Sequence, residues 1–179
     1  MAAASRRATG LALTAAAVVL LDRLAKAWAV AALAGRPPIR LLGGVVEIVL
    51  SENSGAFLSM GDRLPPAARY GLFVVAVAAG LVGASVWLAR SRSLPPRPSL
   101  ALAAMIGGGA SNLVDRLLRG RVVDFAILRA GPLHTGVFNL ADAAILAGAI
   151  LFVWPGFGRR MEERVDSPAA GESSKGETP

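Results

Sequence analysis

The sequence contains no cysteine and only one histidine among its 179 residues. Without cysteine the chain has no disulfide, no thiolate metal site and no cysteine nucleophile. The single histidine, His134, disfavours a histidine-based metal site and a Ser-His triad, and we interpret it as a loop residue. We therefore expect neither a metal nor another cofactor.

Apolar residues are abundant instead. They make up 54% of the chain, and the mean hydropathy is +0.55, which is typical of an integral membrane protein. The formal net charge is +7. Because the basic residues lie in loops between apolar runs, they indicate contact with membrane phospholipid, and we expect no nucleic-acid partner.

We predict four transmembrane helices, at about residues 11–33, 67–90, 100–118 and 137–153. The first has about 23 residues and rises roughly 34 Å, enough to cross a hydrocarbon core of about 30 Å. It is not a cleavable signal peptide, because Asp22, Arg23 and Lys26 interrupt it. Small residues at 107–111 favour close helix packing. Residues 1–156 form the predicted membrane domain, and residues 157–179 form a predicted disordered tail.

The segment at about residues 39–60 has a different character. Its β-branched residues and the Gly43-Gly44 turn signal predict a small extended or hairpin element between the first two helices. We interpret residues 51–55 as a polar turn, in which Asn53 most often serves turn chemistry. The predicted fold class is therefore an all-α membrane protein with a small β-element.

An even number of spans places both termini on the same side of the membrane. The positive-inside rule then favours the cytoplasm for the termini and for the loop that contains Arg90 and Arg97, although arginines on the opposite loops weaken the preference. Asp115, Asp124 and Asp142 would then meet at the outer face, with Asp124 in a loop between the third and fourth helices.

These aspartates are expected to have a function, because inserting an aspartate at bilayer depth costs roughly 2.5–3.5 kcal/mol of free energy. Two carboxylates held close together cannot both ionise easily, so one keeps a proton, as aspartyl hydrolysis requires. From the residues alone, an ion or proton pathway explains the acids equally well. Asp22 and Lys26, four residues apart, form either a neutralised structural pair or part of a polar site between helices.

Five blocks occur in order along the chain. They are residues 22–26 (Asp-Arg-Leu-Ala-Lys), 53–57 (Asn-Ser-Gly-Ala-Phe), 107–116 (Gly-Gly-Gly-Ala-Ser-Asn-Leu-Val-Asp-Arg), 122–125 (Val-Val-Asp-Phe) and 138–142 (Phe-Asn-Leu-Ala-Asp). Together they resemble the blocks of bacterial lipoprotein signal peptidases (signal peptidase II, an aspartic peptidase family). The resemblance implies four transmembrane helices and a small β-cradle on the outer surface between helices 1 and 2. It also implies removal of signal peptides from diacylglyceryl-modified prolipoproteins, with cleavage before the lipidated cysteine.

The resemblance further implies which residues act. Asp124 and Asp142 would be catalytic, and the supporting residues would be Asp22, Asn53, Asn112, Asp115, Arg116 and Asn139. Arg116 would pair with Asp115 or a neighbouring carboxylate, or else meet a lipid phosphate. We expect a monomer in the bacterial inner membrane, multi-pass, with its active site near the outer leaflet.

Three departures from the family pattern leave an alternative open. Ala25 stands where a hydroxyl residue is usual, the Asn53 block is one alanine short, and Ser111 stands where glycine is usual. The alternative is a catalytically impaired paralogue that binds lipoprotein precursors without cutting them. The two intact aspartates favour the enzyme.

Overall fold

The computed structural model describes residues 2–54, 65, 67–68, 71–91 and 93–154, apart from the side chains of three of them. The predicted tail, the end of the Asn53 block and part of the start of the second predicted helix lie outside the described residues.

Four helices are described at the predicted positions. They are α1 (Ala2–Leu33), α2 (Val77–Arg90, which continues a π-helical segment at Gly71–Ala76), α3 (Pro96–Arg119) and α4 (Leu140–Val153). Within the described part of the chain, one stretch is long and apolar enough to cross a membrane by length and composition, Ala4–Leu33 in α1. Two shorter apolar stretches are Val74–Arg90 and Leu140–Val153. The count of four spans stays a prediction.

The ends of these helices follow from local chemistry. Helix α3 begins earlier than predicted because Pro96 occupies its first turn, where a missing N–H costs little. It ends at Gly120, whose φ of 70° is readily adopted by glycine. Helix α4 begins later than predicted because Asn139 caps it, and Asn139 and Asp142 exchange hydrogen bonds as a capping box.

The strands form one antiparallel sheet in the order β1-β2-β3-β4. Their bounds are β1 (Ile39–Leu41), β2 (Val46–Asn53), β3 (Val122–Ala130) and β4 (Leu133–His134). The predicted hairpin is confirmed, since β1 and β2 pair across a turn at Leu42–Gly44.

Two local predictions about this region are wrong. Residues 51–53 belong to β2 and are not a turn, and Asp124 lies in β3 and not in a loop. The reason is a non-local pairing, in which Ser51 lies opposite Asp124 and Asn53 opposite Val122. Half of the sheet therefore comes from the connection between α3 and α4, so the β-element is not confined to the segment between the first two helices.

Helix α3 packs directly against the backbones of its neighbours. A Cβ at Gly107 would lie 2.6 Å from the carbonyl oxygen of Ala15 in α1. A Cβ at Gly108 would lie 2.6 Å from the carbonyl oxygen of Ala141 in α4. The predicted close approach at these small residues is confirmed, and it fixes α1 and α4 on either side of α3.

The sheet is joined to the helices at one end of α1. Ala29 and Leu33 of α1 form an apolar cluster with Phe125 of β3. One turn earlier along α1 the interior becomes polar, and Asp22 and Lys26 are almost fully buried. This polar interior contains the candidate site.

Candidate active site

Polar side chains from five elements meet in the interior between the helices and the sheet. Most of them are at most 7% exposed, namely Asp22, Lys26, Ser111, Asn112, Asp115, Asp124 and Asn139. Asn53 approaches from the end of β2 and Asp142 from the first turn of α4. A side-chain hydrogen bond or ion pair within this cluster is described for seven of the predicted site residues, namely Asp22, Asn53, Asn112, Asp115, Asp124, Asn139 and Asp142.

One part of the cluster consists of ion pairs. The Lys26 Nζ atom lies 2.7 Å from Asp22 Oδ2 and 2.8 Å from Asp115 Oδ2. Arg23 pairs with the other oxygen of Asp115. Two buried acids are thus matched by two cations, which is the condition under which buried charges are tolerated.

Asp22 has a second role besides its pair with Lys26. It accepts hydrogen bonds from the Ser111 hydroxyl at 2.6 Å and from the backbone N–H of Ala141 at 2.9 Å. It therefore joins α1 to α3 and α4. The Asp22–Lys26 pair is therefore neutralised, as one interpretation expected, and the role of Asp22 in a functional site stays a prediction.

Asn139 holds the other two aspartates together. Its Nδ2 donates to Asp124 Oδ1 at 2.6 Å, and its Oδ1 accepts from the backbone N–H of Asp142 at 2.9 Å. Its own backbone N–H donates to Asp142 Oδ2 at 3.3 Å. One buried side chain thus fixes the position of Asp124 relative to the turn that carries Asp142.

Two further asparagines complete the hydrogen bonds of this pair. Asn53 Nδ2 donates to Asp124 Oδ2 at 3.1 Å, and Asn112 Nδ2 donates to Asp142 Oδ1 at 2.8 Å. The Oδ1 of Asn112 accepts from Lys26 Nζ at 2.8 Å. This bond directs the amide nitrogen of Asn112 toward Asp142, so Asn112 connects the ion pairs to the aspartate pair.

The electrostatic setting of Asp124 differs from that of an ordinary aspartate. Burial raises the pKa of Asp124 to about 6, and the nearby charge of Asp142 acts in the same direction. Hydrogen bonds from Asn53 and Asn139 and the charge of Lys26 oppose this rise. A buried carboxyl beside a like charge favours sharing one proton between the two groups.

The guanidinium of Arg116 lies within electrostatic reach of Asp142, Asp124 and Asp115. Arg116 donates to the backbone oxygen of Asn112 at 3.4 Å, and its ion pair with a carboxylate stays a prediction. His134 is exposed in the short edge strand β4. No group of three or more His, Asp or Glu side chains within the described ranges is arranged as metal ligands.

Three contributors were not on the predicted list of site residues, although the pairing of one of them, Lys26, with Asp22 was expected from their spacing. Arg23 pairs with Asp115, and its three-residue spacing from Lys26 was a signal that both could reach one acceptor. Ser111 binds Asp22 across two helices. No local pattern identifies that partner, because the two residues are far apart in sequence.

The comparisons with known proteins agree on one family. The family model for signal peptidase (SPase) II matches residues 14–157. The lipoprotein signal peptidase of Xylella fastidiosa (strain M12) is 38% identical over 136 residues, covering 75% of this chain and 80% of that protein. The lipoprotein signal peptidase of Mycolicibacterium smegmatis is 38% identical over 183 residues, covering 94% of this chain and 73% of that protein.

Solved structures support the same fold. A bacterial membrane enzyme determined by the in meso method at 2.3 Å resolution matches with a TM-score of 0.69 and 20% identity, covering 93% of this chain and 95% of that chain. A second such structure, at 1.9 Å, has a TM-score of 0.71 and 20% identity, covering 82% and 90%. With helices, a small antiparallel sheet and a family match over most of its length, this chain belongs to the signal peptidase II family.

Proposed function

We propose that Asp124 and Asp142 are the catalytic pair with which this chain cleaves prolipoproteins. As a member of its family, the chain is an aspartic-type signal peptidase of the bacterial membrane that removes signal peptides from lipoprotein precursors. One observation carries the assignment of the residues. Asp124 and Asp142 are bound through a single buried asparagine, Asn139, and both carboxyls accept hydrogen bonds from asparagine amides.

The proposed reaction needs one proton on the pair. The ionised carboxylate accepts a proton from water while the water oxygen attacks the scissile carbonyl carbon. The protonated carboxyl donates a hydrogen bond to the carbonyl oxygen as charge develops there. When the tetrahedral intermediate collapses, the amide nitrogen leaves with a proton from the pair, and the two acids have exchanged roles.

Burial and the charge of Asp142 raise the pKa of Asp124 to about 6, so the pair retains one shared proton more readily than two ordinary aspartates would. The carboxyl that is ionised acts first as the base. Both oxygens of Asp142 accept hydrogen bonds, from Asn112 Nδ2 and from the backbone of Asn139, and these bonds orient its carboxyl group. The asparagines add no charge, so they position the pair, and the hydrogen bonds from Asn53 and Asn139 only moderate the raised pKa of Asp124.

The ion pairs have a supporting role in this proposal. Lys26 is held by Asp22 and Asp115, and it orients the Asn112 amide that contacts Asp142. Because the two carboxylates are balanced by two cations, these four groups form a stable buried polar framework. They do not compete for the catalytic proton.

The finer topology is also part of the proposal. Four membrane-crossing helices with cytoplasmic termini place the pair near the outer leaflet, at the end of α1 opposite Arg6 and Arg7. The predicted cradle would rest on the membrane, and its exposed leucines support this, since Leu42 is 77% and Leu133 74% exposed. Contact with phospholipid through such residues and a monomeric state are expected.

The assignment is tested by cleavage of a diacylglyceryl-modified precursor by the purified full-length protein. Wild type should cut before the lipidated cysteine, and Asp124→Asn and Asp142→Asn should both be inactive. Glu52→Gln is the matched control, because Glu52 is a partly exposed acid on β2 whose described partner is Arg121. Full cleavage by either aspartate variant would overturn the catalytic assignment.

The same assay separates the enzyme from a binding-only paralogue. A paralogue impaired at its divergent positions would retain precursor on a column while leaving it uncut. Turnover by wild type rejects that alternative. Binding without turnover, in a preparation whose thermal unfolding is cooperative, would favour it.

A further inference from the structure

The hydroxyl of Ser111 is fully buried on α3 and directed at another helix. Its Oγ donates to Asp22 Oδ2 at 2.6 Å, and Ser111 and Asp22 are both 0% exposed. Such a distance is typical of a hydroxyl that donates to an ionised carboxylate, which is stronger than a bond between neutral groups. This contact lies within the polar interior, one residue before Asn112.

The hydroxyls of two other helical serines donate within their own helix. Ser85 donates to the carbonyl oxygen of Leu81 and Ser99 to that of Pro95, four residues earlier in each case, and the Ser99 hydroxyl also accepts a hydrogen bond from Arg7 Nη2 at 3.0 Å. Donation to the carbonyl four residues earlier is the usual local bond of a serine within a helix. The bond described for Ser111 instead crosses to α1, so its role is tertiary.

The acceptor of Ser111 is in turn bound to the helix that carries Asp142. Asp22 Oδ1 accepts the backbone N–H of Ala141 at 2.9 Å, in the first turn of α4. A carboxylate is favoured there, because the first amides of a helix lack partners within the helix and carry partial positive charge. The next residue is Asp142.

The other side of this turn is also fixed. The carbonyl oxygen of Ala141 lies against Gly108, where an added Cβ would be only 2.6 Å away. Ala141 itself is 0% exposed. The first turn of α4 is thus confined between the α3 backbone and the Asp22 carboxylate. We therefore expect that a displacement of that carboxylate would move the turn and, with it, Asp142.

We propose that Ser111 is a positioning residue for the proposed catalytic pair, acting through Asp22 and Ala141 on Asp142. Two consecutive residues of α3 then control the same turn of α4. Asn112 binds the Asp142 carboxyl directly, and Ser111 fixes the carboxylate that binds the preceding amide. This inference rests on the proposed function, since it concerns the geometry of Asp124 and Asp142.

The test is a comparison of Ser111→Ala with Ser99→Ala in the full-length protein, using the precursor cleavage assay. Both substitutions remove a buried hydroxyl from α3, and Ser99 is 1% exposed and lies about 18 Å along the helix from Ser111. Ser111→Ala should lower kcat by about tenfold, the worth of one hydrogen bond to a charged group, with KM changed less than about twofold. Ser99→Ala should leave kcat within about twofold of wild type.

A double-mutant cycle identifies the route. If Ser111 acts through Asp22, Ser111→Ala should have little further effect on kcat in an Asp22→Asn background. Wild-type kcat in Ser111→Ala overturns the proposal, and so does an equal loss in Ser99→Ala, which would indicate a general effect of removing buried hydroxyls. The proposed function is judged separately by Asp124→Asn and Asp142→Asn, so either idea can fail alone.

Discussion

Four buried or partly buried aspartates lie at the same end of the helices, but their partners differ. Asp22 and Asp115 contact the cations Lys26 and Arg23. Asp124 and Asp142 instead accept hydrogen bonds from the amides of asparagines.

The difference separates a structural set of charges from a reactive one. A carboxylate bound to a cation is stabilised in its ionised form and has little reason to take up a proton. A buried carboxyl beside a second carboxyl binds a proton more readily, as the raised pKa of Asp124 indicates. On the proposed assignment, the same residue type serves two purposes in one site, and its burial and its partners decide which.

The largest expected effect comes from removing the charge of the reactive set. Asp124→Asn and Asp142→Asn should each lower kcat/KM by at least about a thousandfold, because general acid–base catalysis alone contributes about 10²–10⁴. Asp115→Asn should retain more activity and lose more stability, since it leaves Arg23 and Lys26 without a shared acceptor. Cleavage rates and thermal unfolding of the three variants check this. Equal losses of activity would remove the distinction between the two sets.

Asp124→Asn also has an expected effect on stability with a defined sign. Because the folded pKa of Asp124 is raised from 3.8 to about 6, the folded protein loses stability as pH rises through that interval. Asparagine cannot ionise, so the variant should be more stable than wild type above about pH 6, by at most about 3 kcal/mol, with no gain near pH 4. Unfolding temperatures at both pH values in one detergent measure it, and a gain confined to acid pH would contradict the raised pKa.

The next largest effect is expected in the ion-paired set. Lys26→Met should destabilise the folded protein by about 3–5 kcal/mol, because it leaves Asp22 and Asp115 buried with one cation fewer. Adding Asp22→Asn should recover part of that loss, since it removes one uncompensated charge. Denaturant unfolding of the single and double variants provides the measurement. A loss below about 1 kcal/mol would show that these charges are not what holds the helices together.

The sequence predicted the composition of the site better than its arrangement. The helices were recognised from long apolar runs, and the acids and asparagines from their motif blocks. Asp124, however, was expected in a loop. It lies in β3 because that strand pairs with β2, opposite Ser51, and a pairing between segments so far apart leaves no trace in local periodicity.

The hydrogen-bond and ion-pair partners of the buried groups could not be predicted from the sequence either. Three-residue spacing placed Asn112 and Asp115 on one face of α3, which is correct, but it did not reveal that they serve different sets. Asn139 was predicted as a supporting residue, and its position between the two aspartates depends on how α4 meets β3. Such contacts are set by tertiary packing.

Gly108→Ala tests whether the packing of α3 on α4 keeps the reactive set in place. The new Cβ would lie 2.6 Å from the Ala141 carbonyl oxygen, so α4 must shift, at a cost of about 1–3 kcal/mol. We expect kcat to fall by about tenfold with it. Gly80→Ala in α2 is the matched control, because nothing lies within 4 Å of its Cβ and the change should be neutral or slightly stabilising. Unaltered kcat in Gly108→Ala would mean that the pair tolerates movement of its helix.

The smallest expected effect concerns a single neutral amide. Asn53 Nδ2 donates to Asp124 Oδ2, and this bond lowers the pKa of Asp124 because it favours the ionised form. Asn53→Ala should therefore raise that pKa, so that the proton is retained to higher pH. The alkaline limb of kcat/KM, expected near pH 6 in wild type, should then move upward by less than about one unit.

Glu52→Gln, on the adjacent residue of β2, should leave the limb unchanged, since the described partner of Glu52 is Arg121. A limb that stays in place in Asn53→Ala, or that moves to lower pH, would show that this amide does not influence the proton of the pair. The contrast with the ion-paired aspartates would then have to rest on burial and on the mutual repulsion of Asp124 and Asp142 alone. An upward shift instead shows that a neutral hydrogen-bond donor adjusts the proton equilibrium of the pair.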